Sequence, residues 1–258
     1  MNEITILGAY GTRSKGFGTS SFLINDTNVI DAGNILNTLE EKAAHIEHIW
    51  LTHSHLDHIS DIAYVLDNYF SARKKTLKIY GLRPTLRALR KHFFNDLIWP
   101  DFSNIALVNS TEMALSYHEI ELRTPYILDA TTTLEAFRTD HTVPSCGYIV
   151  KKNSSMVLIT ADTHDLSNAI ELIESRKEIT AVVLECSFPS YLEQLAVESK
   201  HLTPKLLFEK LNGIKRDDFT LYINHIKPTY LEIITREIAQ YCGKWEANIL
   251  KDEEIITF

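Results

Sequence analysis

Three histidines and one aspartate, His53, His55, Asp57 and His58, stand within six positions of the stretch THSHLDH. A neutral imidazole nitrogen and a carboxylate oxygen are the donor types that zinc, manganese and iron accept. Buried without partners, each such group costs about 1–3 kcal/mol. The cluster therefore either faces water or converges on a cation. The same residue types recur at the ends of later apolar stretches: His141 follows LEAFRTD, Asp162 closes MVLITAD and His225 follows LYIN. Seven candidate ligands are too many for one tetrahedral ion and suit two.

Apolar patterning indicates what must position these groups. EITILG, SSFLIN, TNVIDAG and HIEHIWLTH read as strands. From Asp57 onward Ile59, Ile62, Ala63, Leu66 and Tyr69 or Phe70 recur at helical spacing. LKIYGL reads as another strand, and RPTLRALRKHFFNDLI as a helix that stops before Trp99-Pro100. HEIELRTPYI, TTLEAFRTD, GYIVKKN and SMVLITAD follow as consecutive strands, DLSNAIELIESR as a helix and TAVVLECSF as a strand. HLTPKLLFEKL opens a helix with Thr203 as N-cap and Pro204 in the first helical position. DFTLYINHIKP is a last buried strand, with a helix from Tyr230 to Tyr241 behind it. Two blocks emerge, each with strands first and helices after. They predict an α/β fold in which helices cover the outer faces of two packed sheets, a four-layer αβ/βα sandwich. In α/β folds the strand ends are where loops gather into a site.

Composition narrows the function classes. A chain of 258 residues, 45% apolar, is long enough for a sizeable core. No repeat or linker interrupts residues 1–258, so one domain is expected. No apolar run approaches the ~18–20 residues of a membrane span, and MNEITILGAY lacks the basic start of a secretion signal. The three cysteines have no metal spacing and suit reduced thiols, so a cytoplasmic location is expected. A net charge of −8 weighs against a nucleic-acid partner.

THSHLDH followed by single His, Asp and His residues at later strand ends resembles the metallo-β-lactamase superfamily of binuclear metallohydrolases. VIDAG resembles that superfamily's upstream motif, whose aspartate, Asp31 here, supports the metal loop from behind. His55 stands where the diiron oxygen reductases of the superfamily carry glutamate, which disfavours a redox role. HSHLDHIS, LIWPDF, HTVPSCGYIV, LECSFPS and HLTPKLLFEKL are similar to the class II cyclic-nucleotide phosphodiesterases, almost end to end. The signature departs at Asp61, where glycine or serine is usual, and at VLDNY, which replaces a small, serine-containing end.

The resemblance implies two divalent ions, zinc first and manganese or iron as alternatives. His53, His55 and His141 would hold one, Asp57, His58 and His225 the other, with Asp162 bridging both. A hydroxide between the ions, oriented by Asp57, would convert 3′,5′-cyclic nucleotides such as cAMP or cGMP to 5′-nucleotides. The related tRNA 3′-processing nucleases use a glutamate and a histidine as a proton shuttle, and Glu185 and His201 match those places. The pairing is physically sound: histidine donates near neutral pH, and a buried carboxylate holds it protonated and oriented. The alternatives are a tRNA-processing-type endoribonuclease, against which the acidic charge weighs, and a non-catalytic metal-bound sensor, against which the full ligand set weighs. A thioester or lactam hydrolase has no use for Glu185 and His201. Both resembling families tend to pair, and the apolar, aromatic regions Tyr64 to Phe70 and Phe93 to Trp99 suit a homodimer interface.

Other features invite blander readings. GAYGTRSKGFGTSS lacks the endings and spacing of phosphate-binding loops and reads as a wide hairpin or loop. SARKKTLK and RPTLRALRK read as a solvated helix face and its flank. His45, His48, His92 and His118 read as packing or surface residues, and Cys186 as a small buried hydrophobe. His164, two residues past Asp162, is a candidate for the pocket wall.

Overall fold

The computed structural model describes residues 2–258, which form two sheets, each antiparallel in one half and parallel in the other. The first contains β1 (Glu3–Gly8), β2 (Ser21–Asn25), β3 (Asn28–Ile30), β4 (His48–Trp50), β5 (Leu77–Gly81) and β6 (Leu115–Glu119). The second contains β7 (Pro125–Ile127), β8 (Thr132–Thr139), β9 (Ser145–Lys152), β10 (Ser155–Ile159), β11 (Ile179–Glu185), β12 (Thr220–Asn224) and β13 (Ala247–Ile249). The last strand, β14 (Ile255–Thr257), returns to the first sheet beside β1. Between strands lie α1 (Leu36–Leu39), α2 (Leu56–Tyr69), α3 (Arg83–His92), α4 (Ser167–Ser175), α5 (Glu193–Glu198), α6 (Pro204–Leu211) and α7 (Leu231–Tyr241).

Period-two alternation sorts each strand's side chains to two faces. Ile30 and Trp50 point between the sheets, while their neighbours Val29 and Ile49 pack outward under α2 and α3. On β11, Ala181 and Val183 face the first sheet, while Val182 and Leu184 pack under α4, α6 and α7. Three buried clusters result: one between the sheets and one under each helical layer. This is the four-layer αβ/βα sandwich.

The local reading differs from the structure at several points. HEIELRTPYI is not one strand. It contains the crossover from β6 in the first sheet to β7 on the edge of the second, through Arg123 in the left-handed region at φ 62°. Pro125, which has no N–H to donate, fits only such an edge. The helix expected over 83–98 ends at His92, and the chain folds back so that the Trp99 N–H donates to the Phe93 carbonyl at 3.0 Å. TNVIDAG stops being a strand at Ile30 because Asp31 turns left-handed, at φ 57°. TAVVLECSF ends at Glu185 and DFTLYINHIKP at Asn224, so Ser187 and His225 sit in the loops beyond.

Candidate metal centre

Strand ends of both sheets deliver the chemistry-bearing residues to one place. β4 leads into His53 and His55, and α2 begins with Leu56, putting Asp57 and His58 in its first turn. The loops after β8, β10 and β12 carry His141, Asp162 and His225. Sheet-to-sheet bonds lock the two halves beside them: the Tyr148 hydroxyl donates to the Leu51 carbonyl at 2.9 Å, and the Cys146 N–H to the Thr52 carbonyl at 3.1 Å. Asp31, Ala161, Lys200 and His225 all adopt left-handed backbone here. Non-glycine residues are held in that region only where the surroundings over-determine them, commonly at functional sites.

The seven residues fall into two groups that share Asp162: His53, His55, His141 and Asp162, and Asp57, His58, Asp162 and His225. Asp162 presents Oδ2 to His53 Nε2 and His141 Nε2, each at 3.7 Å, and Oδ1 to His58 Nε2 at 3.4 Å and His225 Nε2 at 3.2 Å. Asp57 Oδ2 lies 3.4 Å from His225 Nε2 and 3.7 Å from His58 Nε2. His55 Nδ1 and His141 Nε2 face each other at 3.1 Å. His53, His58, Asp162 and His225 are buried, yet among the described residues His53 Nε2, His58 Nε2, His225 Nε2 and Asp162 Oδ1 have no hydrogen-bond partner. Orphaned imidazole nitrogens converging on a carboxylate are an unfavourable arrangement in themselves and a good donor set for cations.

Four of the five imidazoles have their far side fixed. His58 Nδ1–H donates to Asp31 Oδ2 at 2.7 Å. Asp31 also accepts from the Thr52 N–H and hydroxyl, both at 2.8 Å, and the Thr52 Oγ accepts from His53 Nδ1–H at 3.0 Å. His141 Nδ1–H donates to the Lys200 carbonyl at 3.2 Å. His225 Nδ1–H donates to Ser187 Oγ at 2.9 Å. Such bonds select the tautomer that leaves the other nitrogen free for a metal.

Burial and charge shift the proton affinities in opposite directions. Burial pushes His53 well below the ordinary histidine range, lowers His55, and takes His141 down to about 4. Burial also opposes protonation of His58, but Asp162, Asp31 and Asp57 together carry it well above that range. Burial alone would raise Asp162, yet His225 and His58 hold it well below the usual carboxylate range.

Glu185 and His201 flank the second group. His201 Nδ1 lies 2.9 Å from Glu185 Oε1, and its ring stands between those of His141 and His225. Burial disfavours the charged ring, but Glu185 outweighs it and raises the His201 pKa above the histidine norm. Glu185 is fully buried and also accepts from the Thr163 N–H and the Ser187 hydroxyl. His164 turns its Nδ1–H to the His201 carbonyl at 2.8 Å, so it holds that loop in place.

Thr52 and Ser187 were not singled out by the sequence, because a lone hydroxyl residue carries no spacing signal. The one available hint is that each stands next to, or two residues from, a group that was. The glycine-rich segment turns tightly between Ser14 and Phe17 and leans on His225: a Cβ on Gly11 would lie 2.7 Å from that ring's Nδ1. Asp61, the departure in the signature, is buried and pairs with Arg13 of that loop at 3.5 Å. It also accepts from the Leu36 N–H at 2.9 Å.

Comparisons with known proteins fit this picture. The chain is 26% identical over 248 residues to the 3′,5′-cyclic-nucleotide phosphodiesterase 1 of Saccharomyces cerevisiae, covering 87% of this chain and 65% of that relative's length. Among solved structures, unliganded yeast PDE1 superposes with a TM-score of 0.81 at 19% identity, over 99% of each chain. The metallo-β-lactamase fold protein YhfI from Bacillus subtilis does so with a TM-score of 0.75 at 20% identity, again over 99% of each chain. At such identities the structural likeness shows the fold, that of the metallo-β-lactamases. Residues 10–239 match the family model of the class-II cAMP phosphodiesterases, and a match over that span shows that this chain belongs to the class-II cAMP phosphodiesterase family.

Proposed function

We propose that this chain is a single-domain metal-dependent phosphodiesterase that hydrolyses 3′,5′-cyclic nucleotides to 5′-nucleotides. The observation that carries the reading is Asp162, whose two oxygens face two separate pairs of buried imidazole nitrogens, three of which, on His53, His58 and His225, have no hydrogen-bond partner among the described residues. His53, His55 and His141 would hold one divalent ion and Asp57, His58 and His225 a second, with Asp162 common to both. An all-histidine-and-carboxylate donor set suits zinc, with manganese or iron as substitutes. Bound there, two divalent ions lower the pKa of a water and neutralise charge on the phosphate oxygens.

The chain's own residues supply the rest. Asp57, 28% exposed at its side chain, is open enough to orient the attacking water. His201, kept protonated by Glu185, gives its proton to the ribose 3′-oxygen as that oxygen leaves. A substrate anion is attracted despite the acidic net charge, because local field rather than net charge governs binding in a cleft.

The partner and compartment readings rest on surface features. Tyr64 packs edge-on against Trp99, and Leu97 and Ile98 nearby are largely exposed, which supports a homodimer across this face. All three cysteines are free, and among the described residues no helix is long and apolar enough to cross a membrane. The free thiols suit a reducing compartment such as the cytoplasm. Light scattering at micromolar concentration that shows only monomer would remove the dimer. The functional test is a panel of cAMP, cGMP, a precursor tRNA and a thioester with the purified, metal-loaded protein. Cyclic nucleotides should be cleaved and the activity should disappear on chelation. Cleavage of the tRNA or thioester alone would overturn the assignment.

A further inference from the structure

Ser187 is fully buried, yet its one hydroxyl meets three polar side chains. Its O–H donates to Glu185 Oε2 at 3.0 Å. Its Oγ accepts from His225 Nδ1–H at 2.9 Å and lies 3.1 Å from His201 Nδ1, whose proton is directed mainly at Glu185. A hydroxyl has one donor and two acceptor positions, and here the donor and one acceptor position are taken by Glu185 and His225. Nothing in its sequence neighbourhood demands an oxygen there, since Cys186 and Phe188 on either side are buried apolar groups.

The first sheet contains the same device. There Thr52 donates its hydroxyl proton to buried Asp31 and accepts from His53 Nδ1–H, while Asp31 accepts directly from His58. Each half of the centre thus pairs a buried carboxylate with a hydroxyl, so that one anion orients two imidazoles, one directly and one through the hydroxyl. In the first half both imidazoles belong to the ligand cluster. In the second, one is His225 of that cluster and the other is His201.

We propose that Ser187 is a positioning residue that couples the two functions of the second half: it fixes His225 in the tautomer that offers Nε2 to a metal, and it holds Glu185 in line with His201. This rests on His201 being the proton donor. Removing the hydroxyl leaves His225 Nδ1–H without its acceptor and Glu185 without one of its donors. The side chain should therefore influence metal affinity and leaving-group chemistry together, a combination that mere space-filling does not produce.

The test uses Ser187→Ala, Ser187→Thr and His201→Ala in the full-length protein. Metal affinity is read by competition with a chromophoric chelator. Rates on cAMP and on a nitrophenyl phosphodiester are read at saturating metal. Ser187→Ala should weaken the ion that Asp57, His58 and His225 would hold by roughly 10–100-fold, the usual scale for a lost partner behind a ligand. It should also slow cAMP cleavage more than the nitrophenyl ester. Ser187→Thr, which keeps the oxygen, should restore both. His201→Ala should change the ratio of the two rates and leave metal affinity alone. Wild-type metal affinity in a folded Ser187→Ala protein overturns the proposal, and so does weakened metal with an unchanged ratio of rates. Equal losses on both esters in His201→Ala overturn the proton-donor reading instead, and the metal-affinity arm then decides the role of Ser187 by itself. If Ser187→Ala fails to fold, nitrogen-15 imidazole shifts of the wild-type protein decide. A His225 protonated at Nε2 in place of Nδ1 overturns the proposal.

Discussion

In a His201→Ala variant the ribose oxygen must leave as an alkoxide, with no proton donor to replace the one lost. The structure shows why no neighbour substitutes. On the proposed reading His53, His55 and His141 would hold an ion, and the Nδ1–H groups of His53 and His141 are committed to Thr52 and to the Lys200 carbonyl. His58 commits its Nδ1–H to Asp31, and its Nε2 is the nitrogen that would hold a metal. Removing a general acid costs roughly 10²–10⁴-fold, which is about 2.7–5.4 kcal/mol at 1.36 per tenfold. With no understudy, we expect a loss of about 10³-fold or more on cAMP. A nitrophenyl phosphodiester leaves as a stable phenolate and should lose tenfold at most, on the order of 1 kcal/mol. Glu185→Gln removes the anion 2.9 Å from His201 Nδ1 and should reproduce the same selectivity more weakly. Initial rates on both esters, with metal content measured on the same samples, decide the matter. Equal losses on the two esters with metals intact would refute proton donation and leave His201 a substrate-positioning role.

Four further outcomes follow from the same structure. Asp31→Asn removes the charge that accepts from His58 and Thr52, and chelator competition should show metal affinity lower by roughly 10–100-fold. Gly11→Ala would place a Cβ 2.5 Å from the His225 carbonyl oxygen, so both melting temperature and metal content should fall. Gly16→Ala meets open space at φ +80° and should cost only the about 1–2 kcal/mol of a left-handed backbone, with metal content unchanged. The metal-free protein should be most stable near pH 6.5. Below that value the unfolded chain binds more protons than folded His53, His55 and His141, whose pKa values are depressed, so stability drops as pH falls toward about 4. Above it His58 and His201, with raised folded values, lose their contribution as pH rises through those values. Urea midpoints flat between pH 5 and 8 would contradict this.

The residues that converge around Asp162 were legible because histidine and aspartate at the ends of apolar strands are costly to place without purpose. The layer order was legible because alternation such as Val29–Ile30 and Ile49–Trp50 is local. The crossover between sheets was not. Ile120, Glu121 and Leu122 continue the alternation of β6, and the break at Arg123 is a matter of backbone conformation that no arginine announces. Contacts made across long sequence distances were equally silent. Gly11 must be small because His225 lies against it, and Asp61 is tolerated because Arg13 and the Leu36 N–H meet its carboxylate. The hydroxyls of Thr52 and Ser187 emerge only once the imidazoles they hold are in place.

The central claim is that this site would hold two cations, with Asp162 common to both, and would act as a phosphodiesterase when they are bound. Its most direct test is a titration of chelated protein with zinc or manganese, following cAMP hydrolysis against bound metal. Activity should be absent in the metal-free protein and should rise to a plateau at two equivalents per chain, and Asp162→Ala should reach neither the second equivalent nor the activity. Full activity without metal, or a plateau at one equivalent that Asp162→Ala leaves unchanged, would contradict the account.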